Sequence, residues 1–170
     1  MIRTMKRLTS NDESQLEAAR AWLHLGNPAE ADKELEEIDA ANRSHPNVLV
    51  VRLEIYSRLE RWEGALHLVT TLISQRSDRI SYWIQKSQIL QKLGHTRESH
   101  KNLQLARGSR AWSVDDLYDL AIEAQTLDCP EEAFACVRDG VERAGFQQLK
   151  NLALETDLLR AIHPQIRKLG

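Results

Sequence analysis

The stretch Leu25-Gly26-Asn27-Pro28-Ala29-Glu30-Ala31 decides the reading of the chain, because it recurs. Steps of 34 residues from Leu25 reach Leu59, Leu93 and Leu127, and the same steps from Ala31 reach Ala65, Ser99 and Ala133. A fixed period in this range marks helical units that stack on one another. Gly26 suits the left-handed residue that closes a helix. Pro28 suits the first position of the next helix, where its missing N–H leaves no bond unmade.

Outward from this stretch the apolar spacing predicts helices over 13–25, 28–42 and 47–59, with Ser10, Asn11 or Asp12 as cap of the first. The turn Glu60-Arg61-Trp62 lacks glycine, and Trp62 is expected to pack over it. Pro130 repeats the role of Pro28, and a ninth helix over 147–162 stops at Pro164. Two columns explain why such pairs must stack. Ala31, Ala65, Ser99 and Ala133 keep a small side chain where two helices cross, and four residues on, Leu35, Val69, Leu103 and Val137 fill the adjoining gap. Leu25, Leu59, Leu93 and Leu127 are expected to be core residues closing each first helix, worth about 1.5–3 kcal/mol apiece if fully buried.

Composition agrees with an all-α protein. Of 170 residues 42% are hydrophobic and 28% charged, with only 7 Gly and 4 Pro, too few for a turn-rich sandwich or barrel. The net charge of −2 speaks against a general attraction to nucleic acid. Arg107 and Arg110 with Trp112 form the one local hint of it, more simply read as a polar connector. The longest apolar run, Val48-Leu49-Val50-Val51, is far too short for a bilayer, and the basic start Met1 to Arg7 is not followed by an apolar run of signal-peptide length. A cytoplasmic protein with no membrane segment is expected. Cys129 and Cys136 read as buried thiols rather than a redox pair.

On these columns, from 12 to about 147, the chain resembles the tetratricopeptide repeat family. The third unit carries the family's aromatic at Trp83, small residues at Ser87 and Ser99, and a large apolar residue at Leu103. It departs from the pattern at Arg52 and Lys86, where leucine would stand, at Leu53, where a small residue would, and at Arg43, Ser77, Ala111 and Gly145, where proline would. The resemblance implies a right-handed α-solenoid of four helix-turn-helix repeats, 12–45, 46–79, 80–113 and 114–147. A lead-in of residues 1–11 precedes them, and a capping helix over 148–163 and a tail of 164–170 follow.

It also implies a concave groove lined by the first helix of each repeat. On that face Leu16, Val50, Ile84 and Tyr118 form an apolar column, flanked by Arg20, Glu54, Gln88 and Ile122 and by Leu23, Ser57, Gln91 and Gln125. Some members grip a terminal carboxylate with cationic and amide residues here. Leu16, Arg20, Val51, Ser81 and Gln85 occupy the corresponding places, so that clamp is not expected.

Catalytic signatures are missing: no phosphate loop, no nucleophile triad, and no histidine pair at metal-binding spacing among the six histidines. The expectation is therefore a scaffold or adaptor, not an enzyme, without cofactor or metal, that binds a peptide or partner helix in the groove. The alternatives are a self-associating module, with Leu149, Leu154, Leu158 and Leu159 as interface, and a secretion-type chaperone.

Overall fold

Each helix start has a chemical reason. Thr9 Oγ1 accepts from the N–H of Asp12 at 3.1 Å and starts α1 (Ser10–His24), one residue ahead of the caps expected from sequence. Asn27 and Pro28 start α2 (Pro28–Glu36), and His45 and Pro46 start α3 (Pro46–Arg58). The computed structural model describes residues 7–108, 113–142 and 145–169. Along these the chain continues with α4 (Trp62–Gln75), α5 (Ile80–Lys92), α6 (Thr96–Gly108), α7 (Val114–Thr126), α8 (Pro130–Glu142) and α9 (Gln147–Glu155). A 3₁₀ turn (Asp157–Ile162) and α10 (His163–Ile166) complete it. The architecture is all-α, with no strand among the described residues.

Four helix ends share one closing geometry. Gly26 (φ 77°), Glu60 (φ 55°), Gly94 (φ 77°) and Asp128 (φ 57°) are left-handed, each 34 residues from the next. The following N–H reaches back to the carbonyl five residues earlier: Asn27 to Trp22 at 2.9 Å, Arg61 to Tyr56 at 2.9 Å, His95 to Leu90 at 2.8 Å and Cys129 to Ala124 at 2.8 Å. This satisfies carbonyls that the ending helix leaves open and turns the chain into its hairpin partner. Glu60 and Asp128 hold this conformation without the glycine that normally takes it.

The small column behaves as expected. Ala31, Ala65, Ser99 and Ala133 are fully buried, as are Leu35, Val69, Leu103 and Val137 beside them. The leucine column does not. Leu25 is 74% exposed, while Leu59, Leu93 and Leu127 are half-buried. These leucines are cap residues at the rim of the last turn, so the core lies in the second-helix columns instead.

The chain forms two compact units, Met1–Ser77 and Asp78–Gly170. In the first, α1 and α2 pack with α3 around Leu16, Ala19, Leu23, Leu35 and Ile55. Where a helix over 28–42 is expected, α2 stops at Glu36, because Asp12 captures the next segment. Its buried carboxylate accepts from the N–H of Asp39 at 2.9 Å, from Asn42 Nδ2 at 2.6 Å and from Thr9 Oγ1 at 2.8 Å. Chiefly the Asp39 N–H, then the Thr9 hydroxyl, holds the Asp12 pKa down at about 2.

The second unit packs α5 to α10 around Leu103, Leu120, Val137, Leu149, Leu159, Ile162 and Ile166. Along the second helices Ile38, Leu72 and Ala106 are followed, at the same step, by Gly140. A Cβ there would sit 2.4 Å from Leu149 Cδ2, so glycine is what lets α9 lie directly on α8. The expected single helix over 148–163 is broken: Thr156 is extended, and Pro164 lies in the first turn of α10 instead of ending a helix. His163 Nε2 lies 3.0 Å from the Ala153 carbonyl, at the end of α9. Residues 164–169 are no loose tail, since Ile166 and Leu169 are buried in this core.

Leu103→Ala is expected to cost about 2–5 kcal/mol in a urea titration, and Leu25→Ala about 0.5 kcal/mol or less. Equal effects would contradict the placement of the core. Glu60→Gly is expected to stabilise by about 0.5–1 kcal/mol, since relief of left-handed strain exceeds the entropy glycine loses. A lowered urea midpoint would refute that. Because folding lowers the Asp12 pKa from 3.8 to about 2, its contribution is complete above about pH 4 and disappears as pH falls toward 2. The urea midpoint should drop across that window and drop less in Asp12→Asn; identical acid limbs would rule out this role.

Candidate functional site

The first-helix faces of the two units place the expected groove residues unequally. In the first unit Leu16 and Leu23 are buried, at 4% and 3% exposure, and belong to the core more than to an open groove. Arg20 lies beside Glu17, Nε to Oε1 3.5 Å, and Val50 is half-buried. Glu54 is exposed and pairs with Arg58 at 2.7 Å, whose other nitrogen donates to the Leu23 carbonyl. A pocket of about 440 Å³ opens here between Arg7, Leu8, Leu16, Arg20, His45 and Asn47, with Glu13 and Glu17 also on its wall. It brings Leu16 and Arg20 together with charges of both signs. Of the places compared with the carboxylate clamp, Leu16 and Val51 are buried and Ser81 and Gln85 are exposed.

In the second unit Ile84 on α5 and Tyr118 and Ile122 on α7 are half-buried, packed at the edge of the core. The Tyr118 hydroxyl meets Thr156 Oγ1 at 2.8 Å, so the segment after α9 covers the end of the column. Gln91 is half-buried and accepts weakly from Thr96 at 3.4 Å. Gln88 is exposed, and its Nε2 donates to Glu123 Oε2 at 2.9 Å.

Glu123 is the residue that reading the groove column missed. It is buried, at 7% exposure, and burial pushes its pKa up against the opposing hydrogen bond from Gln88. Its other oxygen, Oε1, is buried without a hydrogen-bond partner. The signal was present: steps of 34 residues run Ala21, Ile55, Ile89, Glu123, and a charge ends a column otherwise apolar.

Other groups are committed elsewhere. Arg107 pairs with Glu132 at 3.3 Å and with Asp139, and the remaining residues of that basic hint, Arg110 and Trp112, lie outside the described residues. Cys129 and Cys136 are buried free thiols, their pKa values pushed up by burial to about 11 and about 12. Among the described residues no three His, Cys, Asp or Glu side chains converge as a metal site, and no helix is long and apolar enough to cross a membrane.

No family model matches the chain, and no curated protein does. Solved structures do. MamA from Desulfovibrio magneticus RS-1, from residue 41 to its end, superposes with a TM-score of 0.59 at 15% identity over 96% of this chain and 95% of that one. A tetratricopeptide repeat protein from Parabacteroides merdae gives 0.62 at 16% identity, covering 95% of this chain and 60% of that one. A putative kinesin light chain from Podosopora anserina with nearly identical TPR-like repeats gives 0.54 at 16% identity, over 92% and 93%. These likenesses show the fold: the chain is an all-α repeat protein of the tetratricopeptide type.

Proposed function

We propose that the chain is a protein-interaction scaffold that holds a peptide or a partner helix against the first-helix faces of four repeats, 12–45, 46–79, 80–113 and 114–147, without catalysis or cofactor. The observation that carries this reading is the wall of Ile84, Tyr118 and Ile122, apolar side chains left half-exposed at the edge of a completed core. Apolar surface of this kind, bordered by the amides of Gln88 and Gln91, suits an extended or helical segment with apolar anchors. The pocket beside Leu16 and Arg20 offers a second contact area in the other unit. Free, buried Cys129 and Cys136 favour a reducing compartment such as the cytoplasm.

A second reading, self-association through the C-terminal segment, is favoured by Leu152 and Leu158, which are 39% and 61% exposed. Leu149 and Leu159 are fully buried and do not contribute to such an interface. Light scattering at high concentration separates the two readings, since a strict monomer eliminates the second.

A peptide array probed with wild type and Ile84→Glu tests the first. Bound peptides should lose at least about ten-fold in affinity, a change of roughly 1.4 kcal/mol, while circular dichroism shows the fold retained. Unchanged capture by Ile84→Glu would refute the groove.

A further inference from the structure

Within that groove, on whose reading this step rests, the unpartnered oxygen of Glu123 asks for a ligand. Three facts meet there. Glu123 is 93% buried by the complement of its 7% exposure, yet it has one hydrogen bond, from Gln88, and Oε1 has none. An orphaned buried carboxylate oxygen is costly, and the isoleucine found at the same step in Ile55 and Ile89 would avoid the cost.

Asp115, Asp119 and Glu123 also recur every four residues along α7, a helix without Lys or Arg. Like charges at that spacing repel. Asp115 is compensated by its place in the first turn, at the positive end of the helix dipole, but Asp119 and Glu123 are not. Burial and the neighbouring Asp115 and Asp116 raise the pKa of Asp119, and among the described residues no cation pairs with Asp119 or Glu123. Beside this acidic line stand Ile84, one turn from Gln88, and Ile122, adjacent to Glu123.

We propose that this part of the second unit receives a lysine or arginine side chain of the bound segment. The cationic head reaches Glu123 as Gln88 swings aside, Asp119 lines the approach, and the methylene stem lies along Ile84 and Ile122. Long cationic side chains bury their stems on apolar surface in this way. The partner is therefore a segment carrying a basic residue beside its apolar anchors, opposite in charge to the acidic tails bound by a carboxylate clamp.

A random-peptide display library panned on wild type, Glu123→Gln and Ile84→Glu tests the assignment. Wild type should enrich peptides with Lys or Arg at one fixed position next to apolar residues. A synthetic peptide of that sequence should bind Glu123→Gln about ten-fold or more weakly. Asp119→Asn, at an exposed position that leaves the fold undisturbed, should weaken it about two- to five-fold. Replacing the peptide's cation by glutamine should cost the same as Glu123→Gln, and the two losses should not add. Additive losses, or enriched peptides without a cation that still require Ile84, overturn the Glu123 assignment alone. Peptides enriched equally by Ile84→Glu, or no enrichment at all, overturn the groove with it.

Discussion

The structure depends on how each first helix ends. One residue in left-handed conformation, at Gly26, Glu60, Gly94 and Asp128, lets the next N–H bond back to the carbonyl five residues earlier. That bond fixes the direction in which the second helix returns, and hence which side chain meets the first helix at the crossing. A small residue must stand there, and Ala31, Ala65, Ser99 and Ala133 do, all without exposed surface. The turn and the crossing are one constraint: a change in either would misplace the large residue four positions on, and with it the core of the hairpin.

This division of labour explains what the sequence made legible. The small column and its large neighbours were visible because burial restricts both size and polarity at every copy. The leucine column was visible too, but its meaning was not: a leucine just past the last helical turn shares the period of the core without sharing its burial, as Leu25 shows. Glu60 and Asp128 gave no sign of left-handed geometry, because residue type signals it only where glycine is used. The early end of α2 was hidden for another reason. Ile38 continues the apolar spacing past Glu36, and what stops the helix is a carboxylate distant in sequence, Asp12, bonded to Asp39 and Asn42. Long-range hydrogen bonds of this kind leave no local pattern. The break at Thr156 was equally silent, since the leucines of 149–159 suit a helix and a 3₁₀ turn alike.

The same contrast applies to the candidate site. Half of the groove column was placed correctly in the sense that Ile84, Tyr118 and Ile122 lie at the edge of the core, whereas Leu16 and Leu23 lie inside it. Period alone cannot separate these cases, because a helix face turns only slightly between buried and open. A break in a column is more informative than the column itself. Ser87 and Asn102 are buried polar groups as well, but Asn102 Nδ2 donates to Ser87 Oγ and to the Trp83 carbonyl, which ties α5 to α6. Glu123 instead keeps an oxygen unbonded, and its neighbours on α7 share its charge. Structural polar groups are satisfied within the fold, so an unsatisfied one marks the surface where a partner's chemistry is complementary.

The dihedral angles at the four closing residues test the central claim most directly. Backbone chemical shifts of the isotopically labelled protein report φ at Gly26, Glu60, Gly94 and Asp128. All four should be left-handed, with slow exchange of the amides of Asn27, Arg61, His95 and Cys129 that close the turns. Right-handed helical shifts at Glu60 or Asp128, with rapid exchange at Arg61 or Cys129, would contradict a single closing geometry repeated along the chain.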